Sequence, residues 1–331
     1  FIPFCALSEA KGMGIKMKKI KFFLVLLVGM VVLLAGCSSS KGTSSKDSGK
    51  GEKSIALLMA DLGNPYFHVL RNAVESRGKE LGYKVIVYDG QNDPSKQPSQ
   101  VEDAIQKGVD AIIINPGDEF STANALKEAM AQNIPVVTVD RKVNIDGILS
   151  YIVTDNKKGG QMAGEWLQND MPDGGKVVHI EGVMGTAPQR ERGSGFLSVI
   201  DPKENPDSKF EIIDTVVGNF SMAPAEAAMS DLLAKHDDID AVFAQNDTMA
   251  VGVVRAIETA GRQEDGIVVI GFDGSQEAFD LIDQGKMHAT AVQDFKYQGT
   301  LAVNIVDAYL KDGTKPEPNI LVDVYMYDAK K

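Results

Sequence analysis

Ile55-Ala56-Leu57-Leu58-Met59-Ala60 is an unbroken apolar run that ends in Asp61-Leu62-Gly63-Asn64 and is followed by a helix-length stretch from Pro65 to about Leu81. A half-exposed strand alternates apolar and polar residues. A run without alternation reads as a strand buried on both faces, the habit of parallel sheets. Proline suits the first turn of the helix that follows, where its missing N–H costs nothing. The unit recurs: 84–88, 111–115, 136–140, 176–180, 211–217, 241–244, 267–271 and 289–292 read as further strands, with helix-length segments between most of them. Strand alternating with helix predicts an α/β fold of doubly wound parallel sheets. No repeat with a period of 20 to 50 residues is visible. At about 150 residues per domain, the chain divides into two such units, with a boundary near Thr154-Asp155-Asn156.

The 331 residues are 24% charged and 44% hydrophobic, the balance of a globular protein. Thirty-four Lys and Arg against 46 Asp and Glu give a net charge of −12, without a basic cluster in the body, which argues against nucleic acid as a partner. Only Cys5 and Cys37 are present, so the body has neither a disulfide nor a Cys-based zinc site. His68, His179, His236 and His288 lack metal-ligand spacing, and no P-loop, dinucleotide fingerprint or G-x-S-x-G elbow occurs. Asp140 and Asp273 could be imagined as a glycosidase pair, but each reads better as a hydroxyl acceptor beside an Arg. The expectation is no metal, no cofactor and no enzymatic activity.

The N-terminal region reads as a sorting signal. Residues 1–16 precede Met17 and are taken as an upstream extension, not native. Lys18, Lys19 and Lys21 then lead into the apolar run Phe22 to Leu34, followed by Ala35-Gly36-Cys37. This is signal-peptide grammar over 17–36, and Leu34-Ala35-Gly36-Cys37 resembles a bacterial lipobox. That resemblance implies cleavage before Cys37, lipid on its sulfur and a place on the outer face of a membrane. Removing residues 1–36 takes away five Lys and one Glu, leaving 29 basic and 45 acidic residues and a net charge of −16. A chain so acidic is not drawn to anionic lipid, so the acyl chain has to hold it there. Residues 37–53, rich in Ser, Gly and Lys, form a flexible tether.

In open parallel sheets a ligand sits beyond the carboxyl ends of the strands. Those positions carry Asn64, Tyr66 and Phe67, then Asp140-Arg141, Arg192, Phe220, Asn246, Phe272-Asp273 and Gln293. Aromatic faces suit the C–H faces of a sugar ring, and carboxylate, guanidinium and carboxamide groups suit its belt of hydroxyls. Each residue also has a bland reading. Phe67 or Phe272 alone is more often core, Asp140-Arg141 and Arg192 could be surface ion pairs, and Asp247 is expected to cap the helix starting near Thr248. Six strand ends carrying sugar-compatible groups outweigh those readings.

Residues 60–67, Ile114-Asn115-Pro116, 134–141, Arg190-Glu191-Arg192-Gly193, 241–247 and Gly271-Phe272-Asp273-Gly274 together resemble the ribose-binding members of the periplasmic sugar-binding proteins, and the similarity runs from Ser54 to the end of the chain. The resemblance implies two doubly wound parallel-sheet domains joined by a three-segment hinge, the periplasmic binding protein type I fold. Residues 54–154 plus 294–321 would form the N-terminal lobe, and 155–293 plus 322–331 the C-terminal lobe. It places Asn64, Tyr66, Phe67, Asp140 and Arg141 on one side of a cleft, Arg192, Phe220, Asn246, Phe272 and Asp273 on the other, and Gln293 at the hinge. Phe67 and Phe272 are expected to sandwich the sugar, with Tyr66 and Phe220 at its edges. Tyr66 stands where ribose binders more often have Phe, and Ser221-Met222 where they commonly have Asp-Arg. The implied function is a monomeric extracytoplasmic lipoprotein that captures a monosaccharide, D-ribose foremost, and delivers it to an ABC permease; it could also present it to a chemoreceptor. Other pentoses, hexoses, polyols or furanosyl signals remain open as ligands. A sugar-responsive transcription regulator shares the fold, but here a lipobox and tether stand where its DNA-binding segment belongs.

Overall fold

The computed structural model describes residues 53–329 apart from Pro65; the signal segment, Cys37 and most of the tether lie outside the described residues. The chain runs β1 (Ser54–Met59), α1 (Phe67–Glu80), β2 (Lys84–Asp89), α2 (Gln97–Gln106), β3 (Ala111–Ile114), α3 (Ala123–Ala131), β4 (Val136–Val139) and β5 (Ser150–Thr154). It continues through α4 (Asn156–Asp170), β6 (Gly175–Glu181), α5 (Ala187–Ile200), β7 (Phe210–Val217), α6 (Met222–Lys235), β8 (Ala241–Ala244), α7 (Asp247–Thr259), β9 (Val268–Asp273) and α8 (Gln276–Asp283). It ends with β10 (Ala289–Gln293), α9 (Phe295–Asp312), β11 (Asn319–Val322) and β12 (Val324–Asp328).

The strands form two six-stranded sheets, ordered β11-β5-β4-β3-β1-β2 and β12-β10-β9-β8-β6-β7. In the first, all pairs are parallel. Burial explains the unbroken apolar runs. Ile55, Leu57 and Met59 pack into one cluster with α1 and α9, whereas Ala56 and Leu58 enter a second with α2 and α3. In β8, Val242 and Ala244 face α6 and α7, while Ala241 and Phe243 face α4 and α5. These inner strands therefore bury both rows of side chains, as helices on both faces require.

The structure amends the sequence reading in several places. Three strands, β5, β11 and β12, escaped it: β5 is flanked by Ser150 and Thr154, and β11 and β12 are edge strands with exposed positions that lack a long apolar run. β12 pairs antiparallel with β10, so the second sheet is mixed. Val322 pairs with Thr154 in the first sheet, which moves the last lobe boundary one residue later, to Asp323. Helix α1 begins at Phe67; Pro65 is outside the described residues.

Three crossings join the lobes: Asp155 between β5 and α4, Asp294 between β10 and α9, and Asp323 between β11 and β12. At the first two the aspartate is a helix N-cap, accepting from Lys158 N at 3.1 Å and from Tyr297 N at 2.8 Å. A cap satisfies an orphan N–H of the first turn and lets the chain leave a strand and start a helix at once in the other lobe. In each sheet the winding reverses between the first strand and its inner neighbour, β1/β3 and β6/β8, opening a crevice beyond the carboxyl ends. No helix among the described residues is long and apolar enough to cross a membrane.

Candidate functional site

The two crevices meet in one cavity, partly open to solvent, lined by Asn64, Phe67, Asp140, Arg141, Pro188, Arg192, Phe220, Asn246, Asp273, Gln293 and Phe295. Nine of the eleven residues singled out from the sequence are on that wall. Tyr66 and Phe272 are not, and Pro188 and Phe295 were missed.

On the N-terminal side, Asn64 makes a tight turn after β1, its Oδ1 accepting from Tyr66 N at 3.0 Å and its carbonyl from Phe67 N at 3.1 Å. This turn aims the Phe67 ring at the cavity and stacks it on Phe295, with centroids 5.7 Å apart. Asp140 follows β4 with a left-handed φ of 65°. Its Oδ2 accepts from Asn115 Nδ2 at 2.8 Å and lies 3.4 Å from Arg141 Nε. Arg141 Nη1 donates to the carbonyls of Pro116 and Gly117, both at 3.3 Å, and its Nε is buried without a hydrogen-bond partner among the described residues. The guanidinium stands between two rings, 5.7 Å from Phe67 and 5.8 Å from Phe220. Burial pushes the Asp140 carboxyl above the usual carboxylate range and the Arg141 group below its own; each opposes the other's shift.

On the C-terminal side, Arg192 of α5 is 3% exposed and is held through Nε and Nη1. Nε donates to Asn156 Oδ1 at 2.8 Å, and Nη1 donates to the Gln245 carbonyl at 2.8 Å and Asp273 Oδ1 at 3.3 Å. Its Cζ lies 3.8 Å over the centre of the Phe272 ring. The expected sandwich of Phe67 with Phe272 is therefore corrected: Phe272 is fully buried beneath Arg192 and supports the guanidinium from behind. The ring across the cavity from Phe67 is Phe220, thrown inward by left-handed backbone at Asn219 and Phe220, both φ 54°.

Asn246 is the N-cap of α7, its Oδ1 accepting from Met249 N at 2.9 Å, and its Nδ2 donates to the Phe220 carbonyl at 3.4 Å. The cap expected at Asp247 falls instead on Asn246, one residue earlier. Asp247 is buried and accepts from Ser275 N at 2.7 Å and Thr290 Oγ1 at 2.6 Å. Asp273, at φ 130°, accepts from Gln293 Nε2 at 2.6 Å as well as from Arg192, and burial raises its carboxyl well above the usual range against the pull of Arg192. Behind this wall His179 stacks on Phe243, and burial lowers its pKa to about 4, so it is neutral and structural.

Asp140, Phe220 and Asp273 put non-glycine backbone at positive φ on the cavity wall, where surrounding structure has to hold it. Across the mouth, Arg190 Nη2 of α5 pairs with Glu119 from the loop after β3. This ion pair links the two lobes beside the cavity.

Tyr66 turns away from the cavity. Its ring packs on Phe295 at 4.8 Å, and its hydroxyl donates to the carbonyl of Gln293. Tyr66→Phe is accordingly expected to cost about 1 kcal/mol of stability, the net worth of an ordinary hydrogen bond, while ligand affinity stays within about three-fold. Melting curves beside titrations test this; an affinity loss beyond ten-fold would mean that the phenol reaches the ligand.

Strand-end residues of two doubly wound lobes converging on one polar and aromatic cavity define a two-lobed binding protein. A family model for the periplasmic binding protein domain matches residues 55–315, and the chain belongs to that family. The ribose import binding protein RbsB of Bacillus subtilis (strain 168) is 39% identical to it over 289 residues, 86% of this chain and 92% of that protein. RbsB of Escherichia coli (strain K12) is 35% identical over 301 residues, 91% and 96% of the two chains. An ABC transporter periplasmic solute binding protein from Actinobacillus succinogenes, solved with bound D-allose, superposes with a TM-score of 0.77 at 28% identity, covering 84% of this chain and 98% of that one.

Proposed function

We propose that the protein is the sugar-capturing component of an ABC importer, with D-ribose as its ligand, and that it acts by binding and not by catalysis. The observation that carries this reading is the cavity between the lobes, with Phe67 on one lobe, Phe220 on the other, and forked polar groups from both lobes in its wall. Phe67 and Phe220 would cover the faces of the sugar. Asn64, Asp140, Arg141, Arg192, Asn246, Asp273 and Gln293 would take its hydroxyls. Asp140 and Asp273 accept, the arginines donate in pairs, and the carboxamides do both. Because the wall is divided between lobes, a sugar makes its full set of contacts only in the closed arrangement. Its differential affinity therefore stabilises that arrangement, and exclusion of water strengthens each polar contact. The two RbsB relatives, whose names state ribose import, support the choice of ligand.

A hexose is the second reading. The solved neighbour holds D-allose, and Ser221-Met222 replaces the Asp-Arg pair expected after Phe220 in a ribose binder.

The same reading has Cys37 carrying lipid after removal of residues 17–36, a monomer tethered by residues 37–53 to the outer face of the membrane, and a loaded form that docks on the permease and is available to a chemoreceptor. Calorimetric titration of the purified protein with pentoses, hexoses and polyols is expected to give one-to-one binding, tightest with D-ribose. Stronger binding of another sugar would replace the ligand and keep the function. Absence of heat with every polyhydroxylated compound would remove the function.

A further inference from the structure

Behind Gln293, away from the cavity, lies a row of buried hydrogen bonds that spans two of the three crossings. Thr154 ends β5 at the first crossing and is 1% exposed; Gln293 ends β10 at the second and is 2% exposed; Gln298 lies in the first turns of α9 and is fully buried. Gln298 Nε2 donates to Thr154 Oγ1 at 2.8 Å, Thr154 Oγ1 donates to Gln293 Oε1 at 2.6 Å, and Gln293 Nε2 donates to Asp273 Oδ1 at 2.6 Å. Thr154 and Gln298 do not line the cavity of Asp273.

The donor count gives the row a direction. A hydroxyl has one proton. With an N–H arriving from Gln298, the Thr154 proton goes to Gln293 Oε1, and the Gln293 amide then has only its Nε2 to turn toward Asp273. With Gln293 reversed, Oε1 would face a carboxylate and the Thr154 proton would lose its acceptor. Gln298 takes part at a cost, since its own Oε1 is buried without a hydrogen-bond partner among the described residues. A buried carboxamide left half-satisfied is unusual enough to ask for a reason, and holding the Thr154 hydroxyl is one.

We propose that Thr154 and Gln298 are positioning residues that fix the orientation of the Gln293 amide, so that the hinge presents a donor to Asp273 and leaves that carboxylate aligned for a ligand hydroxyl. The proposal rests on the reading of the cavity as a sugar site. Because the row sits at the hinge and not at the mouth, it is close to the axis about which the lobes turn, and it prepares the Asp273 wall before a ligand arrives. Preparation of this kind raises affinity without adding a contact.

The test uses Thr154→Val, which keeps the shape and removes the hydroxyl, and Thr154→Ser, which keeps the hydroxyl. Thr154→Val is expected to bind D-ribose about ten-fold more weakly and Thr154→Ser within about two-fold of the native protein, the range for loss and retention of one buried hydrogen bond. The pH profile separates positioning from packing. Asp273 faces Arg192 of α5, Asp247 of α7, Asp140 and Arg141 at the end of β4, Tyr66 before α1, and Gln293; the two arginines and the Gln293 amide favour its charged form and the two aspartates oppose it. Without a fixed Gln293 donor the carboxyl takes up its proton at higher pH, so in Thr154→Val affinity should begin to fall at higher pH on acidification than in the native protein.

A ligand-free readout keeps the two readings apart. The side-chain amide resonance of Gln293, identified by its loss in Gln293→Leu, should be held downfield by Asp273 in the native protein and in Thr154→Ser, and should collapse toward the free-amide position in Thr154→Val. If Thr154→Val does not fold, Gln298→Leu removes the donor one step further out and is expected to weaken binding about three-fold with the same resonance change. Unchanged affinity, acid limb and amide resonance in folded Thr154→Val would overturn the proposal. Failure of the native protein to bind any sugar would overturn the functional reading instead, leaving the row to be judged by the resonance alone.

Discussion

Asp273→Ala is expected to reduce sugar affinity by a hundred-fold or more while leaving the fold intact. Asp273 is 4% exposed and is the carboxylate within reach of the Arg192 guanidinium, which is itself 3% exposed. Truncating one member of a buried, hydrogen-bonded charge pair typically costs about 2–5 kcal/mol in binding, much of it the penalty of leaving the other charge unpaired. Here the loss is compounded. Gln293 Nε2 loses its acceptor, and any hydroxyl that Asp273 would take loses its own. Arg192 keeps Asn156, the Gln245 carbonyl and the Phe272 ring, so it stays in place as an uncompensated cation in the wall. Arg141→Ala, on the opposite lobe, is expected to weaken binding at least ten-fold by the same reasoning. Calorimetry with circular dichroism as the check on folding measures both. An Asp273→Ala protein that binds ribose within three-fold of the native one would show that this wall does not touch the ligand.

Gly182→Ala should abolish tight binding by a different route. A Cβ at Gly182 would sit 2.0, 2.1 and 2.5 Å from Phe220 Cζ, Cε1 and Cε2, distances no real contact has. The obstructing atoms are the far end of one side chain, so the ring can move, and the open space beside it is the cavity it already lines. The methyl group therefore displaces Phe220 into the volume meant for the sugar. The expected result is an affinity loss of about a hundred-fold or more with a change in folding stability of about 1 kcal/mol, small because a rotated ring leaves no large void. Combining it with Phe220→Ala removes the obstruction and should return part of the affinity. Native affinity in Gly182→Ala would mean that the ring has another way out and that Phe220 does not form the wall opposite Phe67.

Much of this architecture is legible in the chain because its rules are local. Strand β1 declares itself through a run with no polar alternation, and its two faces enter two different clusters, as that run implies. The strand-end rule then reached most of the cavity wall without any knowledge of distance. Its failure at Phe272 comes from where a strand was judged to stop. Ending β9 at Gly271 makes Phe272 look like a loop tip. The strand extends to Asp273, and Phe272 continues the row of Val268 and Ile270 that faces α4 and α5. Two residues of extra strand turn an apparent sugar platform into the support under Arg192. The same rule, carried past Asp294, would have found Phe295 at the start of α9.

The sequence alone determined the alternation of strand and helix, the two-unit organisation and the chemical character of the strand ends, since burial period and turn chemistry depend on near neighbours. Which rings face the cavity, which residue caps α7, that Tyr66 serves the hinge and that Thr154 stands behind Gln293 were decided only in three dimensions. Those choices depend on side-chain rotamers and on partners more than a hundred residues away, such as Thr154 and Gln293 or Tyr66 and Gln293. No periodicity encodes such a pairing, because packing selects it only after both lobes have formed.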